Sequence, residues 1–205
     1  MNKFDDYCAS NNIYQLQKLL FPPPQAKIQR GYMKQKIDIH QGNENGFIQA
    51  CSHNHLEMVK FLTTLYKTNK YKNDRIDINI NIVDGFYYNK KTLNMFADAC
   101  EKGYINIIIY LSLLYKTDGY PPVDIHIGSE HAFPSACANN HLNIVKYIIP
   151  LYRKHKVYKP INIYMNTYKR DRFSYYDYIY KCNNNTLKYL LNISLNIKTK
   201  TIILL

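Results

Sequence analysis

Apolar residues recur along this chain at two spacings, and the alternation between them marks out its elements. Leu56, Val59, Leu62 and Leu65, with Phe61 and Tyr66 alongside, follow the three-and-four spacing of an amphipathic helix. The segment before them ends in the small pair Ala50-Cys51, and Asn54 follows, a residue suited to the left-handed conformation that ends helices. Ala99-Cys100 with Gly103, and Ala136-Cys137 with Asn140, repeat that arrangement. The pattern predicts a short helix, a tight turn and a longer helix in each unit, with small residues where a neighbouring helix approaches. Between units the period falls to two, in Ile37-Asp38-Ile39-His40, Ile76-Asp77-Ile78-Asn79, Val123-Asp124-Ile125-His126 and Ile161-Asn162-Ile163-Tyr164. Alternation of β-branched and polar residues predicts short extended arms with one packed face.

The units are copies. Residues 37–67 and 123–153 align at a shift of 86 with 15 of 31 positions identical. All five cysteines share the frame: Cys8, Cys51, Cys100, Cys137 and Cys182 each stand five residues before an Ile or Leu that opens an apolar pattern. Two short helices and an arm cannot bury their apolar faces alone, so the units must stack. The flanks fit the frame as degenerate caps: Phe4, Cys8, Ile13, Leu16 and Leu19 before the repeats, and Cys182, Leu187 and Leu190 after them. The expected organisation is one domain over 1–205, with an N-terminal cap over 1–36, repeats over 37–75, 76–116 and 117–159, and a C-terminal cap over 160–205. Pro134 requires its helix to begin within the preceding few residues, and Pro150 predicts a kink or an early end in the longer helix of its unit.

The run Ala-Cys-x-x-Asn-His-Leu-x-Ile/Met-Val-Lys-Tyr/Phe resembles the ankyrin repeat, and the Asp-Ile-His and Asn/Ser-Glu-x-x-Phe segments are similar to variant ankyrin repeats of giant DNA viruses. The resemblance covers residues 37–153. Asn45-Gly46-Phe47-Ile48 and His131-Ala132-Phe133-Pro134 stand where the family carries Thr-Pro-Leu-His, and cysteine separations of 37 to 49 exceed the usual period of about 33. The resemblance implies an all-α, ankyrin-type α-solenoid of stacked helix-turn-helix repeats with short extended arms or hairpins. It implies a non-catalytic protein-protein interaction module, viral in origin, that binds a host or viral protein. It implies contacts from arm tips and inner helix faces: Gln41, Glu44, Ser52 and His53, then Glu101 and Lys102, then Ile127, Glu130, Ala138 and Asn139. It also implies that His55 and His141 are buried imidazoles tying each turn to its neighbours.

Repeat two carries an insertion. Asn79 to Cys100 spans 21 positions, whereas His40 to Cys51 and His126 to Cys137 each span 11. The extra residues include Phe86, Tyr87 and Tyr88, which either project as an interface anchor or fold back onto the stack.

Composition adds a net charge of +12, a pI near 9.3, 21 Tyr, no Trp and 7 Gly. Abundant Asn, Ile and Lys are favoured by AT-rich codons, which is the plainest source of the charge. The opening residues are acidic where a signal peptide needs an apolar run, and the longest apolar stretch falls short of the roughly 20 residues of a membrane span. An intracellular protein, cytoplasmic or nuclear, is expected, in the host cell if viral. Its cysteines are expected to be reduced and, at Cys51, Cys100 and Cys137, buried. Cys51-Ser52-His53-Asn54-His55 has zinc-ligand chemistry, but periodicity already accounts for its residues, so no metal, cofactor or small-molecule substrate is expected. No residues stand outside the repeat as a catalytic set, so no enzyme is expected. Lys67, Lys70, Lys72, Lys116, Arg153, Lys154 and Lys156 follow the second helices, where cations meet helix C-termini. Aligned by stacking, they form a basic edge, and the alternative function is binding of nucleic acid or an acidic surface there.

Overall fold

The computed structural model describes residues 3–23, 36–80, 82–84, 91–125, 132–154, 182–190 and 192. Its helices come in pairs: α1 (Lys3–Ala9) with α2 (Ile13–Leu20), α3 (Gln41–Ser52) with α4 (Leu56–Thr64), α5 (Met95–Lys102) with α6 (Ile105–Thr117), and α7 (Ala132–Ala138) with α8 (Leu142–Lys154). A further helix runs over 184–190. The fold is all-α in class, and its other regular elements among the described residues are 3-10 turns after α4 and one two-stranded ribbon.

Each pair is closed by the same turn. Asn11, Asn54, Gly103 and Asn140 hold φ of +54°, +60°, +86° and +60°. The residue after each donates its amide to the carbonyl five positions back: Asn12 to Tyr7, His55 to Ala50, Tyr104 to Ala99 and His141 to Ala136, all at 2.9 Å. Asn and Gly tolerate this conformation best, so the sequence signal for the turns rests directly on backbone sterics.

The first helices pack in chain order, α1 on α3, α3 on α5 and α5 on α7, and α4 packs on α6. One register fills the seams. Phe4, Phe47, Phe96 and Phe133 stand four residues before their cysteines and are fully buried, as are Ala50, Ala99 and Ala136. Burying one such Phe contributes about 1.5–3 kcal/mol. Small residues let the helices meet: a Cβ on Gly46 would lie 2.3 Å from the ring of Phe4. Along the backs of the pairs, hydroxyls join neighbouring units, Thr63 to Tyr110 and Ser112 to Tyr147, each at 2.6 Å.

The arms show the predicted alternation, with Ile39, Ile76, Ile78, Val123 and Ile125 buried and Asp38, Asp77 and Asp124 exposed. Asp38 and Asp77 each accept from the amide two residues on, at His40 and Asn79. Asn79 then bridges to the following arm, accepting from the Asp124 amide and donating to the Pro122 carbonyl. The insertion in repeat two forms a hairpin of β1 (Ile82–Asp84) and β2 (Lys91–Leu93), with Ile82 opposite Leu93 and Asp84 opposite Lys91. Its tip, with Phe86, Tyr87 and Tyr88, lies outside the described residues.

Pro134 is the third residue of α7, in the first turn, where its missing amide costs nothing. Of the kink or early end expected at Pro150, the early end does not occur: α8 continues to Lys154. Pro150 and Lys146, whose carbonyl it leaves without an amide partner, are both on the solvent side, so water meets the loss.

Candidate interaction surface

The exposed ends of the first helices form a rim at one register, two residues after each cysteine. Ser10, His53, Lys102 and Asn139 stand there, all exposed. Each side chain reaches one helical turn back. Ser10 Oγ donates to the Asp6 carbonyl at 2.7 Å, His53 Nδ1 to the Gln49 carbonyl at 2.9 Å and Asn139 Nδ2 to the Ser135 carbonyl at 3.0 Å, while Lys102 Nζ pairs with the Asp98 carboxylate at 3.0 Å. The positions are equivalent, but the chemistry differs in every unit: hydroxyl, imidazole, ammonium, amide. Side chains fixed in this way lose little rotamer freedom when a partner docks.

Units one and two are joined across this rim. Asp98 accepts from Ser52 Oγ at 3.1 Å, and Lys102 Nζ also reaches the Ser52 carbonyl at 3.4 Å. Beside them the rings of His53 and His55 stack at 5.8 Å. Ser52 and Lys102 thus come together on Asp98, with His53 next to Ser52 in the chain; the sequence reading did not select Asp98, although its i,i+4 spacing to Lys102 was the available signal. Gln41 is exposed, Glu101 and Ala138 are half-buried, and Ile127 and Glu130 lie outside the described residues. Glu44 departs from expectation. It is 5% exposed, because the backbone turns left-handed at Gly42, Asn43 and Glu44 and folds the carboxylate inward onto His40 and the Asp77 amide. It cannot serve as an arm-tip contact.

His55 and His141 tie their turns to the preceding unit, as the resemblance implied. His55 Nδ1 donates to the Cys8 carbonyl at 3.2 Å and His141 Nε2 to the Glu101 carbonyl at 3.1 Å. Both rings are half-buried rather than buried.

On the basic edge, Lys67 and Lys70 are engaged between units, as is the neighbouring Arg75. Lys67 pairs with Asp118, and Tyr66 donates to the Asp118 carbonyl at 3.0 Å. Lys67 holds the Asp118 carboxyl below its usual range, against a smaller opposing effect of burial. Arg75 donates to the Gly119 carbonyl at 2.6 Å, with its guanidinium 4.2 Å from the Tyr66 ring centre and 5.2 Å from that of Tyr120. Lys70 donates to the Leu20 carbonyl and sits near the rings of Phe21 and Tyr71. Lys72 and Lys116 are exposed. Arg153 and Lys154 fall in the last turn of α8, and Lys156 lies outside the described residues.

Cys8, Cys51 and Cys100 are poor nucleophiles. All five cysteines are free; Cys8, Cys51, Cys100 and Cys137 are buried and Cys182 is half-buried. Burial pushes Cys8 up to about 12 and Cys51 and Cys100 well above the ordinary thiol range. Among the described residues no group of three or more His, Cys, Asp or Glu is placed to hold a metal ion, and no helix is long and apolar enough to cross a membrane. A shallow groove of about 290 Å³ between α4 and α6, lined by Leu56, Lys60, Asn106, Ile109, Tyr110, Leu113 and Thr117, holds no set of convergent titratable groups. No protein-family model and no curated protein sequence matches the chain.

Proposed function

We propose that the chain is an ankyrin-type repeat module, non-catalytic, that binds a protein partner along the rim of Ser10, His53, Lys102 and Asn139, together with Ser52 beside it. The supporting observation is that four turns of one geometry present four different side chains, each fixed by a bond one helical turn back. A constant scaffold with variable contact positions is how solenoids recognise partners. The similarity to viral repeat sequences supports a viral protein that meets its partner inside a host cell. Affinity purification that returns one stoichiometric protein, lost when His53 and Lys102 are both replaced by Ala in a chain that still folds, tests the reading. Retention of every partner by that variant refutes it.

Binding of nucleic acid or an acidic surface is the second reading, favoured by exposed Lys72 and Lys116. The engagement of Lys67 by Asp118 and of Arg75 by Gly119 counts against it. A steep loss of binding with added salt would favour it over the first.

A further inference from the structure

Gly42, Asn43 and Glu44 hold φ of +63°, +58° and +64° in succession. Gly42 and Asn43 tolerate left-handed backbone singly, but three such residues in succession ending in Glu44 are unfavourable, so contacts must hold the turn in place. Those contacts converge on one imidazole. Glu44 Oε1 lies 2.6 Å from His40 Nδ1 and accepts from the Asp77 amide at 2.9 Å. The Glu44 side chain is 6% exposed, and its Oε2 has no hydrogen-bond partner among the described residues. On the far side of the ring, His40 Nε2 lies 2.6 Å from Asp74 Oδ1, and Lys36 pairs with the other oxygen of Asp74. Asp38 accepts from the His40 amide. Glu44, Asp74, Lys36 and Asp38 are titratable groups in contact with His40 or its partners; Asp77 adjoins Glu44 through its amide, and the Tyr71 ring centre lies 5.0 Å from Lys36 Nζ beside Asp74.

Ionised carboxylates only accept hydrogen bonds, so a ring between two of them must donate from both nitrogens, and only imidazolium does so. We propose that His40 is a proton-gated latch: with both ring nitrogens protonated it locks the first arm to Asp74 and holds the left-handed turn closed on Glu44, and with the ring neutral the latch opens.

A neutral ring keeps one N–H. Asp74 has Lys36 and water to turn to, its side chain being 26% exposed, so the remaining proton stays on Nδ1, donated to Glu44, and the Asp74 contact parts. The buried Glu44 charge then loses the cation in contact with it, which loosens the turn. Partial burial disfavours the His40 charge, but the bonds to Glu44 and Asp74 outweigh it and raise the pKa above the ordinary 6.5. Partial burial likewise disfavours the Asp74 charge, and Lys36 and His40 outweigh it and lower the pKa. A raised histidine contributes its stability in full below about pH 6.5 and loses it as pH rises through the folded value, so the latch is closed in mild acid and opens on the alkaline side.

The test is an NMR titration of the full chain from about pH 5 to about pH 9. The His40 ring is followed together with the amides of residues 42–44 and 74–77 and their hydrogen exchange. The expected result is a His40 midpoint above that of a free histidine, with those amides shifting at the same midpoint and losing roughly tenfold in protection, after correction for the intrinsic pH dependence of exchange, once it is passed. Glu44→Gln keeps an acceptor for the Asp77 amide without the charge, and should lower the His40 midpoint and uncouple the turn from it. His40→Asn, which places at this register the residue that repeat two carries as Asn79, should leave a turn insensitive to pH. A His40 midpoint at the ordinary value, turn amides unmoved through its transition, or unchanged coupling in Glu44→Gln would each overturn the latch. The wild-type co-titration decides the matter even if a variant fails to fold.

Discussion

The imidazole of His141 lies where a side chain at Gly103 would begin: a Cβ on Gly103 would stand 2.6 Å from His141 Cε1 and 2.9 Å from Nδ1. The ring cannot retreat without giving up the Glu101 carbonyl. Gly103→Ala should therefore destabilise the fold by more than the roughly 1–2 kcal/mol that a left-handed residue costs by itself. Urea unfolding measures the excess. In a His141→Ala background the same substitution should cost only the backbone term, and an equal loss in both backgrounds would remove the clash from the explanation.

Thiol labelling of the native protein should modify Cys182 well before Cys8, Cys51, Cys100 and Cys137, in line with their burial. Cys51→Leu or Cys137→Leu overpacks a filled seam and should cost roughly 1–3 kcal/mol. Labelling of Cys51 at the rate of an unstructured peptide would contradict the packing.

Replacing Asp98 by Ala removes the acceptor shared by Ser52 and Lys102. The bonds lie at a partly solvated rim, so the stability change should stay within about 1 kcal/mol. Partner capture should fall much further, since two contact side chains lose their fixed position. Equal capture by the variant and the parent would place the binding surface elsewhere.

Asp118 supplies an acid limb to the stability profile. Its carboxyl titrates below 3.8 in the fold, held by Lys67. A depressed carboxylate contributes its stability above its unfolded value and loses it as pH falls through the folded one. Melting temperature against pH should therefore drop below about pH 4, and Asp118→Asn should flatten part of that drop. An identical acid limb in the variant would show that the Lys67 pair has no effect on stability.

The turns were legible because Asn54, Gly103 and Asn140 are read by local sterics alone, and the arms because a period of two shows directly in Ile-Asp-Ile. Glu44 was misplaced for a non-local reason. Its burial depends on the Asp77 amide 33 residues later and on a left-handed run that the sequence marks only at Gly42. Asp98 was overlooked because its role lies between units, where Ser52 of one helix meets a carboxylate of the next. Positions fixed within a turn can be read from a string of letters, whereas positions fixed by a neighbour require the neighbour's placement.

The shared turn also bears on how such a chain can change its length. Its closing bonds, Tyr7 to Asn12, Ala50 to His55, Ala99 to Tyr104 and Ala136 to His141, use backbone atoms alone, and the phenylalanine that fills each seam recurs at the same step before the cysteine. A duplicated or excised unit would therefore meet at its new junction a surface of the kind it had left. Gene duplication can lengthen this protein without inventing a joint, and each added copy would bring one more rim position free to diversify.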